Sequence, residues 1–444
     1  MSSAVPVVTG AYASATGIQE RIRRPMATIM HGERIGKDGQ LSVACSAVLF
    51  DPSRQRILLT RRQDDGRWSL PGGRMAPGED AAEACVREVG KECGSMAGED
   101  GAESVMNLDT FLTEINRTYG RPALVAGVTD QDRLRAVGAI GVRRLGHDVP
   151  VTVQDQFHIG SVGKAIAGTV IAVLVDQGRL SWETTPADVF PDLAATMDPA
   201  FREVGIVRFL THQAGLAPFT EDAEWLPFAA WSSPPREQRR AFTAHLLRRP
   251  PAVPPGTEFL YSNAGFTVAA AMAERVTGHL WEALVQASIF TPLEMGSAGF
   301  GWPAPAQRDA PWGHWVTDQG FQPDPPEDAL RLGPLLGPAG DLHMNVADLA
   351  RFARVHLRGL AGQDSVVQAT SIRTLYRALG YDARGAQKVG YVGSAGTFTA
   401  VLVLMPPRNQ ALVLMTNAGD DADSALAILA QLTGCGYPTI GREG

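Results

Sequence analysis

Ser161 and Lys164 stand three residues apart. On a helix, that spacing puts both side chains on one face. At a helix N-terminus the serine would sit where unpaired N–H groups and the positive end of the dipole favour a developing oxyanion. A serine hydroxyl is a weak nucleophile until a neighbour takes its proton. A lysine whose ammonium is destabilised by burial can be that neighbour. The run that follows, Ala165 to Asp176, is apolar on nearly every side, so burial is expected. Ser-x-x-Lys alone is a weak signal, since a chain of this length should hold about one by chance. Tyr261-Ser262-Asn263 strengthens it. A phenol beside an ammonium gives up its proton more readily, and it can relay a serine proton to a leaving group. Tyr391-Val392-Gly393-Ser394 comes third, ahead of two apolar runs.

In this order the three motifs resemble the active site of the serine β-lactamase and penicillin-binding-protein superfamily, in its class C and esterase-like branch. Pro255-Gly-Thr-Glu-Phe-Leu-Tyr-Ser-Asn-Ala-Gly is similar to the family's Pro-Gly…Tyr-Ser-Asn segment. Phe209-Leu-Thr-His212-Gln-Ala-Gly-Leu216 resembles its Leu-Thr-His-x-Ser-Gly-Leu stretch, and Gly337 to Leu349 its Ala-Gly-Gly-Leu…Asp-Leu stretch. The resemblance runs from Leu108 to Gly434. It implies catalytic roles for Ser161 as nucleophile and for Lys164 and Tyr261 as proton-transfer groups. It also implies that Asn263 holds the substrate amide and the lysine. The Tyr391 strand is then an inner one that lines the pocket opposite the serine. Gly393 would let substrate approach the backbone, and the Ser394 N–H would complete an oxyanion hole with that of Ser161. Tyr391 replaces the family's Lys or His, a cation that commonly pairs with a β-lactam carboxylate. The change favours a neutral ester or amide. His212 reads as a structural histidine at a loop–helix junction, and His158 as a packing or hydrogen-bonding residue. Trp225, Phe228, Trp231, Trp302, Trp312 and Trp315 fall in two Pro-rich stretches that would either wall the pocket or anchor loops.

These residues need elements to position them. Leu108–Tyr119, Ala165–Asp176, Ala264–Thr277, Val346–Leu357 and Ala422–Leu432 read as helices. Ala123–Val128 and Leu134–Val142 read as strands, and Thr399–Met405 with Ala411–Thr416 as a hairpin. Strands at both ends of this region with helices between them fit an α+β fold. The resemblance makes that fold a β-lactamase-like antiparallel sheet, built from both ends, flanked by helices and joined to a helical subdomain.

Upstream, Gly73, Glu79, Arg87, Glu88, Val89, Glu92 and Gly94, behind Trp68-Ser-Leu-Pro-Gly-Gly, resemble a Nudix box. Its chemistry needs carboxylates on one helix face to hold Mg²⁺ against a diphosphate. Glu88 and Glu92 are four apart and could share a face, but Lys91 replaces the first Glu of the Glu-Glu pair. A cation there removes a ligand and repels the metal. Glu88 and Glu92 are therefore vestigial metal candidates in a truncated Nudix-like α/β segment. Ser42–Phe50 and Arg56–Arg61 read as its strands around an Asp51-Pro52-Ser53 turn, and Ala81–Cys93 as its helix. The expected layout is a loosely ordered arm over 1–40, the partial Nudix-like segment over 41–106 and the hydrolase domain over 107–440.

With 45% hydrophobic and 20% charged residues and a net charge of −7, the chain has the make-up of a soluble globular protein without a nucleic-acid or anionic-membrane partner. Cys45, Cys85, Cys93 and Cys435 match neither a zinc pattern nor a disulfide framework and read as buried free thiols. Met1 to Met26 holds no apolar run behind a basic start, and no stretch reaches about 18 apolar residues. A cytoplasmic location is expected. The sequence reads as a serine hydrolase acting on a small-molecule ester or amide, needing no metal or organic cofactor. The same acyl-enzyme would serve a transacylase in small-molecule biosynthesis. Three further functions compete with these: a β-lactamase or D-amino-acid peptidase, a Nudix-type diphosphate hydrolase, and a penicillin-sensing module.

Overall fold

A computed structural model describes residues 10–14, 44–46, 56–61, 68–69, 72–74, 106–229, 231–303, 310–326, 332–380, 389–419 and 422–433. The chain divides into two compact units, Met1–Ser104 and Val105–Gly444.

In the first unit, strand β1 (Gly10–Ser14) pairs antiparallel with β3 (Arg56–Arg61), which also pairs with β4 (Trp68–Ser69). Strand β2 (Ala44–Ser46) pairs with β5 (Gly72–Arg74). The stretch expected to be a loose arm thus contributes a strand. Glu88, Lys91, Glu92, the expected Ala81–Cys93 helix and Cys435 lie outside the described residues.

The second unit is built on a seven-stranded sheet. From its N-terminal part come β6 (Met106–Asn107), β7 (Ala123–Thr129), β8 (Leu134–Arg144) and β9 (His147–Pro150). From its C-terminal part come β15 (Val389–Ser394), β16 (Thr399–Met405) and β17 (Gln410–Thr416). The order is β15-β16-β17-β7-β8-β6, with β9 on β8. Pairing is antiparallel except for β6 on β8. The central join is β17 to β7, where Leu414 faces Ala126, so the two ends of the unit meet in mid-sheet.

Strands β7, β16 and β17 read as nearly unbroken apolar runs because both faces of the sheet are covered. Alternate residues feed two cores, as the two-residue strand period requires. Val125, Leu402, Val413 and Met415 join one core with helix α2 (Gly163–Asp176), α4 (Ala264–Thr277) and α6 (Val346–Ala361). Leu124, Val403 and Leu414 join the other with α1 (Asp109–Tyr119) and α8 (Ala422–Thr433). Every residue of α2 from Gly163 to Leu174 is buried, which makes it the central helix of the unit.

Sequence periodicity did not mark α3 (Pro235–Leu247), where Arg239 is wholly buried. Its guanidinium donates to both Glu274 oxygens, to both Glu282 oxygens and to the Pro334 carbonyl. Those contacts tie α3 and α4 to α5 (Gly333–Leu336). A further helix, α7 (Ala369–Ala378), packs on α2 and α6.

Three short strands complete the frame: β10 (Phe157–His158), β11 (Gly299–Phe300) and β14 (Leu342–Met344), with β14 in the middle. A separate hairpin pairs β12 (Gly313–Thr317) with β13 (Gly320–Asp324). Among the described residues, no helix is long and apolar enough to cross a membrane.

Candidate active site

Between β10 and α2 the chain makes a single 3₁₀ turn, Gly160–Val162, with Ser161 at its centre. Two glycines let this turn meet β15. A Cβ on Gly393 would lie 2.1 Å from the Ile159 carbonyl oxygen and 2.6 Å from the Ser161 nitrogen. Gly160 has φ +49°, and its Cβ would lie 2.6 Å from the Ser394 carbonyl oxygen. The backbones of the serine turn and of Gly393-Ser394 are therefore in direct contact. Gly393 was expected to make room for substrate; its missing side chain makes room for the serine turn itself. Strand β15 was expected to be an inner strand, but among the described residues it ends the sheet.

Lys164 lies on the first turn of α2. Its Nζ donates to Ser161 Oγ at 2.8 Å, Asn263 Oδ1 at 2.7 Å and the Ala339 carbonyl at 3.0 Å. Burial pushes the Lys164 ammonium below the ordinary lysine range, against a smaller opposing pull from Tyr261. Tyr261 reaches Ser161 from the loop before α4, with its hydroxyl 2.7 Å from Ser161 Oγ. One hydroxyl oxygen thus touches both the ammonium and the phenol. Asn263 is fixed at its other end, where Nδ2 donates to the Phe219 carbonyl at 2.9 Å.

Tyr261 is held from behind. The His212 ring is stacked on it, with centroids 4.5 Å apart and planes 25° apart. His212 Nδ1 accepts the Ser262 N–H at 3.0 Å, and its carbonyl accepts the Leu260 N–H at 2.8 Å. Burial, helped by the Lys164 charge, pushes the His212 imidazole down to about 3. The ring is neutral, with Nδ1 used as an acceptor. It positions Tyr261 and has no nitrogen paired with Ser161. His158 plays a similar supporting part: its Nδ1 accepts the Gly160 N–H at 3.1 Å, and its ring lies against Trp302.

Ser161 opens onto a cavity of about 480 Å³. Asn263, Ser394, Trp225, Trp302, Trp315 and Asp324 are among its lining residues. The aromatic residues of the two Pro-rich stretches divide between wall and anchor. Phe228 and Trp231 meet edge to face beside Phe242, and Trp312 lies under the Arg144 guanidinium. Tyr391 does not line this cavity; its ring stands edge-on to Tyr376, with centroids 6.4 Å apart. The structure therefore gathers Ser161, Lys164, Tyr261 and Asn263 into one hydrogen-bonded cluster. It sets Gly393 and Ser394 against that cluster and leaves Tyr391 in the neighbouring packing.

Sequence reasoning missed the Ala339 carbonyl, the Phe219 carbonyl and Asp324. Main-chain acceptors carry no side-chain signature. Asp324 sits in a hairpin with no apolar alternation to mark it. Among the described residues no group of three or more His, Cys, Asp or Glu could hold a metal ion.

The Beta-lactamase family model matches residues 108–433 and the NUDIX domain model residues 40–120. The two matches overlap on α1, which packs on β7 and β8 of the second unit. Penicillin-binding protein 4 of Amycolatopsis lactamdurans is 28% identical over 328 residues, which is 68% of this chain and 84% of that protein. A putative 8-oxo-dGTP diphosphatase of Bacillus subtilis strain 168 is 42% identical over 66 residues, 15% of this chain and 44% of that protein. The octameric penicillin-binding protein homologue from Pyrococcus abyssi shares the fold. Its TM-score is 0.59 at 20% identity, over 74% of this chain and 77% of that one. With most of its length matched, the chain belongs to the Beta-lactamase family of serine hydrolases, with a Nudix-like segment ahead of it.

Proposed function

We propose that this protein cleaves an ester or amide of a small molecule through an acyl-enzyme on Ser161. The observation that carries the reading is the convergence of Lys164 Nζ and Tyr261 OH on Ser161 Oγ, at 2.8 and 2.7 Å. In this mechanism Tyr261 acts as the phenolate beside the Lys164 ammonium, and Ser161 Oγ attacks the substrate carbonyl carbon as its proton passes to that phenolate oxygen. Lys164 holds Ser161 Oγ through its 2.8 Å hydrogen bond, and its charge balances the negative charge that passes between the two oxygens. The tetrahedral oxyanion accepts the N–H groups of Ser161 and Ser394. When it collapses, the bond to the leaving group breaks and Tyr261 returns the proton to that group. Water then attacks the acyl-enzyme by the same steps and frees Ser161.

The penicillin-binding-protein relative supports trying a penicillin as an acylating probe. Tyr391 stands where the family has a Lys or His, and among the described residues that line the cavity there is no cation for a β-lactam carboxylate, which supports weak turnover of such compounds. We assign no diphosphate hydrolysis to the Nudix-like segment, on the strength of Lys91.

The test is turnover of para-nitrophenyl acetate without added metal by wild type and Ser161→Ala, with intact-mass measurement of acid-quenched enzyme. Turnover and an acetyl adduct that both vanish in the variant are expected. Equal rates in the two proteins would sink the assignment of Ser161.

A further inference from the structure

The amide that leads into the nucleophile is held by an imidazole. In a buried setting, the Gly160 N–H donates to His158 Nδ1 at 3.1 Å. Only a ring nitrogen without a proton can receive an N–H, so His158 carries its proton on Nε2. Nε2 lies 3.1 Å from Asp341 Oδ1, and a carboxylate that accepts there fixes this tautomer. His158 is wholly buried and Asp341 mostly so. His343, the register partner of His158, donates instead from its own Nδ1 to the Gly301 carbonyl at 2.9 Å.

The Asp341 main chain is pinned on both sides. Its N–H donates to the Gly337 carbonyl at 3.0 Å, and its carbonyl accepts the Gly301 N–H at 2.9 Å. The two residues before it also press on the serine turn. The Ala339 carbonyl takes Lys164 Nζ, and a Cβ on Gly340 would lie 2.3 Å from the Gly160 carbonyl oxygen. One short segment thus reaches the lysine directly and the Gly160 amide through His158. With the proton on Nδ1, that buried amide would face another N–H, losing its bond and gaining a repulsion. Gly160 also abuts the Ser394 main chain, so its displacement would move the serine turn against the second oxyanion donor.

We propose that Asp341 is a positioning residue for Ser161. By keeping the His158 proton on Nε2, it leaves Nδ1 free to accept the Gly160 N–H, and that bond sets the serine turn for reaction. The proposal rests on the Ser161 reading for its effect on rate, but the tautomer can be measured without it.

Asparagine places Oδ1 where histidine has Nδ1. His158→Asn therefore keeps an acceptor for Gly160 and cuts the link to Asp341, whereas His158→Leu removes both. On para-nitrophenyl acetate, kcat should fall by about 10²-fold in His158→Leu and by less than about tenfold in His158→Asn, with KM little changed. Asp341→Ala should lower kcat by about tenfold in the wild-type background and by less than about twofold in the His158→Asn background. Thermal melts identify the folded variants. Equal losses in the two His158 variants, or an equal effect of Asp341→Ala in both backgrounds, would make the pair merely structural and overturn the proposal. The second readout needs no turnover: ¹⁵N NMR of the imidazole nitrogens in histidine-labelled, full-length Ser161→Ala protein, with the His158 signals assigned by their loss on adding His158→Asn. A proton on Nε2 alone is expected, and adding Asp341→Ala should populate the other tautomer. A His158 ring protonated on Nδ1, or on both nitrogens, overturns the proposal. Absence of ester turnover in wild type counts against ester cleavage by Ser161, and the spectrum then decides the link from Asp341 to Gly160.

Discussion

A single oxygen organises the candidate site at the scale of residues. Ser161 Oγ touches Lys164 and Tyr261, and each of those is held by groups that do not touch the serine. Asn263 and the Ala339 carbonyl fix the ammonium, and the His212 ring fixes the phenol. Tyr261→Phe keeps the ring on His212 and removes only the hydroxyl. Its kcat on a simple ester should fall by about 10²–10⁴-fold with KM little changed. Steady-state kinetics beside a thermal melt would check this. A variant that keeps wild-type kcat would remove Tyr261 from the proton path. His212 enters as a scaffold, since a ring pushed down to about 3 is neutral throughout the working pH range.

At the scale of elements, the site is the place where a 3₁₀ turn is pressed against a strand end. Gly393 permits the contact, because any side chain there would collide with the main chain of Ile159 and Ser161. Main chain cannot move aside as a flexible side chain can. Gly393→Ala should therefore separate β15 from the turn and pull the Ser394 and Ser161 amides out of register. Loss of one oxyanion donor costs about 10²–10³-fold in kcat, and overpacking costs about 1–3 kcal/mol of stability. Both are read on one sample, by ester turnover and by urea unfolding. Wild-type activity in the folded variant would show that the close approach has no part in the reaction.

At the scale of the whole molecule, the second unit carries two cores on the two faces of its sheet, and buried polar groups are threaded through the larger one. His356 is fully buried, between the Tyr376 hydroxyl at 2.7 Å and the Thr169 hydroxyl at 3.1 Å. Burial pushes its imidazole down from 6.5 to about 3. Between those values the unfolded chain binds a proton that the folded chain refuses. Stability from this group is intact above 6.5, falls as pH drops below it, and is fully lost below about 3. His356→Gln should flatten the slope of unfolding free energy against pH, between roughly pH 6 and 4, by about 1.4 kcal/mol per pH unit. Urea melts across that range would show it. An unchanged slope would mean that His356 is charged in the folded protein.

The sequence by itself determined the local elements and the residues that the candidate site gathers. Ser161 with Lys164 and Tyr261 with Asn263 were marked by the resemblance of their motifs, and the buried α2 and the strands at both ends of the second unit by apolar runs and turn residues. These are short-range properties, carried by residue identity and local spacing. Tertiary structure decided how distant pieces meet. It turned Gly393 toward the serine turn, Tyr391 toward Tyr376, His212 beneath Tyr261, and Asp324 into the cavity wall. It also buried Arg239 in a helix whose sequence reads as mostly polar, because two glutamates brought from elsewhere in the chain neutralise it there. Such pairings depend on main-chain paths far apart in the sequence, or on acceptors with no residue identity, and neither leaves a period or a motif in the chain.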